Sequence, residues 1–127
     1  MIFGIGTDII KRDRMRAEIL QESDPFVLRT FTEKERKEAA ERDDAGMYYL
    51  GRFAAKEAVY KALRLTPELV DLSEIEVLTT SSGAPRVILH GKLRAYRLQQ
   101  NIRTIHLSLS YETDMATAFA IAEGEEA

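Results

Sequence analysis

The sequence has no cysteine, which excludes a disulfide, a thiolate nucleophile and a cysteine-ligated zinc site. It has no excess of positive charge either. The formal net charge is −3, whereas a general nucleic-acid binder is normally basic. No apolar run approaches the roughly 20 residues needed to span a bilayer. A phosphate-binding glycine loop is missing too, because Gly4-Ile5-Gly6 lacks a third glycine and lies inside a strand pattern. There is no Ser-His-Asp order or nucleophile elbow to suggest acyl-transfer chemistry. The opening Met1–Asp8 carries no basic leader, which predicts that there is no signal peptide. These absences predict a cytoplasmic protein with no nucleic-acid and no membrane partner. What is present is ordinary for one globular domain over residues 1–127: 45% hydrophobic and 31% charged residues.

The most informative stretch is Gly51-Arg52-Phe53-Ala54-Ala55-Lys56-Glu57-Ala58-Val59-Tyr60-Lys61-Ala62-Leu63. It consists of good helix formers without proline, and a helix is predicted from near Met47 to Leu65. At 3.6 residues per turn Leu50, Phe53, Ala54, Glu57 and Lys61 share one stripe, which Leu50 and Phe53 mark as core-facing. An i,i+4 Glu–Lys pair on a helix is often only a surface pair. Here the acid and the base stand where apolar residues belong, and a desolvated carboxylate needs a metal, a ligand or an ion-pair partner. Glu57 is therefore a candidate site residue.

Ile2–Ile10 reads as a strand with Phe3, Ile5, Thr7 and Ile9 on one face and Gly4, Gly6 and Asp8 on the other. Glycines inside a strand mark close approach by another backbone or a ligand. Asp8 is either a ligand on that face or the N-cap of a helix over Lys11–Gln21. Lys11–Arg16 is the most basic run in the chain, and it is either a solvated face or a docking patch for an acidic partner. A short helix is expected after Ser23-Asp24-Pro25. A second follows Thr32, where Thr32 and Glu35 have capping-box spacing. Strands are predicted at Ile75–Thr79 and Arg86–His90 around a turn at Ser81–Pro85, and at Thr104–Tyr111 and Ala116–Ala122, with a helix at Lys92–Gln100. His106 beside Ser108 and Ser110 reads as a sheet hydrogen-bonder. The fold class is α+β, a mainly antiparallel sheet packed against a few helices.

Gly4-Ile5-Gly6-Thr7-Asp8-Ile9, Arg52-Phe53-Ala54-Ala55-Lys56-Glu57-Ala58 through Lys61-Ala62-Leu63, and His106-Leu107-Ser108-Leu109-Ser110, in that order, resemble the holo-acyl-carrier-protein synthases within the 4′-phosphopantetheinyl transferases. The resemblance spans nearly the whole chain and implies the fold of that group. It also implies a reaction in fatty acid biosynthesis: the phosphopantetheine arm of coenzyme A moves to a serine of apo-acyl carrier protein, releasing adenosine 3′,5′-bisphosphate. By resemblance Asp8 and Glu57 hold Mg²⁺, and Asp8, Glu57 and Lys61 carry the chemistry. Arg52, Lys56, Lys61, Gly83, Pro85, Ser108 and Ser110 contact coenzyme A, Arg14 docks the carrier protein, and the assembly is a homotrimer. Thr7 and Ile10 are atypical of the family beside the metal ligand, and one departure matters: Tyr111 stands where a histidine usually follows Ser-x-Ser/Thr. That departure leaves an alternative function, a family member that binds coenzyme A or a carrier protein without turnover.

Overall fold

Alanine and glycine set the distance between the main helix and the main sheet. The computed structural model describes residues 1–15 and 22–125. Three strands form one antiparallel sheet in the order β1-β5-β4, where β1 is Ile2–Lys11, β4 is Ile102–Glu112 and β5 is Met115–Gly124. On its inner face β5 presents Ala116, Ala118, Ala120 and Ala122, all buried, against Ala54, Ala55, Ala58 and Ala62 of the longest helix. That helix, α3, spans Ala45–Ala62. A Cβ at Gly4 would stand 2.1 Å from the Ala62 carbonyl oxygen, and one at Gly6 2.0 Å from that of Ala58. Of the two neighbours their placement in the sequence allows, another backbone or a ligand, the structure supplies the backbone of α3. Gly6→Ala is expected to cost about 1–3 kcal/mol or more, because backbone rather than a flexible side chain must move. Chemical denaturation measures this, and a loss below about 0.5 kcal/mol would rule out the tight contact.

The other elements brace α3. Helix α1 (Pro25–Thr30) is capped by Asp24, whose side chain accepts from the Phe26 N–H. Helix α2 (Glu33–Ala40) begins with the predicted capping box between Thr32 and Glu35. Phe26, Phe31, Tyr49 and Phe53 form a chain of ring contacts that ties α1 and its C-cap to α3. A separate hairpin pairs β2 (Ile75–Thr79) with β3 (Pro85–Leu89), and α4 (Gly91–Gln99) leads from it to β4. Every strand pairing is antiparallel, as expected for the α+β class. Among the described residues no helix is long and apolar enough to cross a membrane.

Two expectations change. The helix predicted for Lys11–Gln21 is not seen where it can be checked: Lys11 closes β1 and Arg12–Arg14 form a 3-10 turn, while residues 16–21 lie outside the described residues. The reason is the pairing of Lys11 with Met115, which extends the strand past Asp8, so Asp8 is not a helix cap. The stripe through Glu57 and Lys61 is also not the most buried side of α3. Arg52, Lys56 and Val59 are buried, whereas Phe53 and Glu57 are half-buried and Lys61 is exposed, because both sheets, α2 and the β5 alanines enclose the helix.

Candidate active site

The close contact of β1 with α3 decides where Asp8 goes. It shares the inner face with Gly4 and Gly6, and its register partner is Ala118. The Lys61 ammonium donates to the Thr7 carbonyl at 2.9 Å and lies 3.5 Å from Asp8 Oδ1. Glu57 precedes Lys61 by one turn of the helix. Burial pushes the Asp8 carboxyl above the ordinary aspartate range, against the pull of Lys61. Burial also raises Glu57, the charge of Asp8 raises it further, and Lys61 opposes both. Two carboxylates thus share one lysine, which leaves the cluster short of positive charge. Asp8, Glu57 and Lys61, three residues expected at the site, are brought together.

A second part of the site lies at the other edge of the sheet. A groove of about 360 Å³ is lined by Arg42, Arg52, Gly83, Pro85, Ser108 and Tyr111, among others. Gly83 sits at φ +89° in the β2–β3 turn, a conformation natural to glycine. The Arg52 guanidinium donates to Thr79 Oγ1 at 2.7 Å, lies 3.4 Å from Glu38 Oε1 and stacks 4.6 Å over the Tyr48 ring. Its Nε is buried with no acceptor among the described residues. Tyr111 packs on the backbone of Gly51, where a Cβ would stand 2.2 Å from its hydroxyl oxygen. That contact explains the glycine at the start of the organising stretch.

Other expected site residues fall elsewhere. Lys56 is a correction: its ammonium is fully buried, 2.9 Å from Glu35 Oε1, and donates to the carbonyls of Leu72 and Ile75. Its donors are taken up in the core, so it does not line the groove with Arg52. Ser108 borders the groove, but it and Ser110 point to the outer sheet face, beside Phe119 and Thr117 respectively, away from Asp8. His106 pairs with Glu123 at 3.0 Å, as a sheet hydrogen-bonder would. Arg14 is exposed in the 3-10 turn, whereas its neighbour Arg12 makes a bidentate pair with Asp44 at 2.6 and 2.9 Å. Sequence reasoning missed Arg42. It donates to Thr79 Oγ1 at 3.1 Å and lies over Tyr48 from the turn that follows α2, a convergence with Arg52 that spacing does not reveal.

A family model described as the 4′-phosphopantetheinyl transferase superfamily matches residues 4–120. The chain belongs to this family. It is 38% identical over 123 residues to a holo-[acyl-carrier-protein] synthase of Clostridium kluyveri, with 97% of this chain and 91% of that protein covered. The crystal structure of the holo-[acyl-carrier-protein] synthase from Neisseria meningitidis superposes with a TM-score of 0.86 at 32% identity, covering 97% of this chain and 99% of that one. A holo-(acyl-carrier-protein) synthase from Bacillus anthracis, in complex with CoA (3′,5′-ADP), superposes with a TM-score of 0.78 at 33% identity, covering 98% and 99%. These likenesses span both halves of the site, the Asp8–Glu57–Lys61 cluster and the Arg52–Tyr111 groove.

Proposed function

We propose that residues 1–127 act as one transferase domain that moves the 4′-phosphopantetheine arm of coenzyme A onto a serine of apo-acyl carrier protein, in the cytoplasm and in fatty acid biosynthesis. The observation that carries this reading is the meeting of Asp8, Glu57 and Lys61 across the glycine-mediated contact of β1 with α3. Among the described residues no group of three or more metal-ligating side chains occurs, so any ion here takes its remaining ligands from elsewhere. Mg²⁺ fits that donor set, because it uses one or two carboxylates and completes its shell with phosphate oxygens and water. When bound, the ion neutralises charge on the diphosphate as the phosphoanhydride opens.

The chain's own groups do the rest. Lys61 is half exposed and within reach of Asp8, so its ammonium can turn to a phosphate oxygen and stabilise the leaving group. The serine proton passes to Asp8 or to a water held beside it. Arg52, Gly83, Pro85 and Ser108, with Arg42, frame a place for the adenosine phosphate end of coenzyme A. Tyr111 can donate a hydrogen bond there but lacks the basic ring nitrogen that a histidine offers.

The two halves of the site flank the β5 alanines, one beside the β1 edge and one beside the β4 edge. This placement calls for a neighbouring copy whose β4 edge meets the β1 edge, and the homotrimer that the family resemblance implies supplies one. The outer sheet face supports the same assembly, since Ile5 is 59%, Ile9 62% and Phe119 46% exposed in the single chain. Mass spectrometry of apo-carrier protein incubated with coenzyme A, Mg²⁺ and this protein tests the activity. Addition of the phosphopantetheine arm is expected; no mass shift with any of several carrier proteins would leave the non-catalytic, coenzyme-binding alternative. Arg14→Glu is expected to weaken carrier-protein affinity and flatten its salt dependence while coenzyme A affinity holds. Unchanged carrier affinity, measured by titration calorimetry, would make that turn a solvated surface only.

A further inference from the structure

From Val77 to Tyr111 the chain contains no aspartate and no glutamate, although the whole protein carries a net charge of −3. Five cations fall in the same interval: Arg86, Lys92, Arg94, Arg97 and Arg103. The fold gathers three of them around one groove. Arg86 of β3 and Arg94 and Arg97 of α4 line a depression of about 440 Å³ whose apolar part is formed with Ile88, Leu98 and Ile102. This is larger than the groove that holds Arg52, and it shares no residue with it. Two acids of this region are occupied: the Glu74 carboxylate accepts from the Lys92 and Leu93 N–H groups at the start of α4, and Glu76, the register partner of Ile88, accepts from the Thr32 hydroxyl and lies 3.0 Å from His90 Nε2. Arg97 is fixed in place, donating to the Ile102 carbonyl at 3.0 Å and the Arg103 carbonyl at 2.6 Å, so it forms a rigid wall. Arg86 and Arg94 are exposed. Leu98 stands 70% exposed on the same helix, the most exposed large apolar side chain of the described residues.

We infer that this groove is a docking surface for an acidic, amphipathic segment of a protein partner, distinct from the transferase site and independent of that reading. Arginine recognises carboxylates with paired, parallel hydrogen bonds, and a leucine-lined depression takes an apolar side chain from the same segment. Charge and shape agree on this occupant. A polynucleotide would meet the arginines but find no free aromatic face to stack on, since Tyr96 is half-buried with its hydroxyl on the Leu63 carbonyl at 2.8 Å. It would also be repelled by the acidic remainder of the chain. A bilayer presents a flat surface, and this site is concave with one protruding leucine.

The test uses a fluorescent helical peptide of Glu and Leu heptads, followed by anisotropy against the full-length protein. Saturable binding that weakens with salt is expected, with at least about a tenfold loss in Arg86→Glu/Arg94→Glu and a comparable loss when the peptide's leucines become serine. Leu98→Ser gives a second, charge-neutral variant with the same expected direction. Phosphopantetheine transfer should be unaltered in both variants. The inference is overturned if the peptide fails to bind, if the double variant binds it as well as the native chain, or if the serine peptide binds equally. Binding of anionic phosphatidylglycerol vesicles that depends on Arg86 and Arg94, without peptide binding, would reassign the surface to membranes. A changed mass by light scattering in the double variant would make it a contact between copies of the chain.

Discussion

Glu57→Gln is expected to lower phosphopantetheine transfer by about 10³-fold or more, roughly 4 kcal/mol of barrier, while the protein stays folded. The amide keeps the size of the side chain and loses only the charge that a divalent ion needs. The same change should stabilise the protein in the absence of metal. Burial first, then Asp8, raise the folded-state pKa of Glu57 above its unfolded value. A carboxyl raised in this way contributes its stability below the unfolded pKa and loses it as pH rises through the folded pKa. Glutamine has no such loss, so the melting temperature of the variant should exceed that of the native chain at neutral pH and converge with it in acid. Added Mg²⁺ should raise the melting point of the native protein and leave that of the variant unchanged. Asp8→Asn should behave alike, its carboxyl being raised chiefly by burial. An active Glu57→Gln, or a metal-free variant less stable than the native chain at neutral pH, would remove Glu57 from the metal site. The pattern is one of activity held at a cost in stability, as expected where like charges are gathered for a ligand.

The sequence allowed the elements to be read because each carries a local signal. The alternation of Ile105, Leu107 and Leu109 with His106, Ser108 and Ser110 specifies a strand with two unlike faces, and β4 has them. Thr32 and Glu35 state their capping box in four residues. Gly4 and Gly6 imply a close neighbour without saying which, and the neighbour is the α3 backbone at Ala58 and Ala62. The errors arise where partners distant in the chain decide. Lys11 belongs to a strand because Met115 pairs with it. Lys56 reads like a phosphate ligand because it stands between Arg52 and Glu57 in a motif, yet the carboxylate of Glu35 and two carbonyls near β2 claim its ammonium. Arg42, in the turn after α2, and Arg52 of α3 converge on Thr79, and no spacing rule connects them. Helical periodicity also misled, because it assumes one buried side and α3 is enclosed on nearly all of its surface.

Lys56→Met should destabilise the protein by about 3–5 kcal/mol, because it strands a buried carboxylate. Both members of the Lys56–Glu35 pair are fully buried, with 2.9 Å between Nζ and Oε1. Glu35 also accepts from the Thr32 N–H at 2.8 Å and the Val77 N–H at 2.8 Å, so the pair joins the start of α2, strand β2 and α3. Once the ammonium is gone, the carboxylate keeps those two donors and loses the counter-charge of Lys56. Burial already raises the Glu35 pKa, chiefly against the attraction of Lys56, and removing Lys56 raises it further. The raised carboxyl contributes stability at low pH that disappears as pH rises through its folded pKa. The deficit of Lys56→Met should therefore be smallest in acid and largest at neutral pH. Adding Glu35→Gln should recover much of the loss, since a neutral amide oxygen can still accept from Val77 and needs no cation. Urea unfolding of the two single variants and the double variant between about pH 4 and 8 measures the coupling. A Lys56→Met deficit below about 1 kcal/mol, or one independent of pH, would mean that water rather than Lys56 balances Glu35. The same pair bears on the chemistry through position alone. Lys56 and Glu57 are consecutive, so the ion pair that fixes one side of α3 against β2 sets the rotation that turns Glu57 toward Asp8.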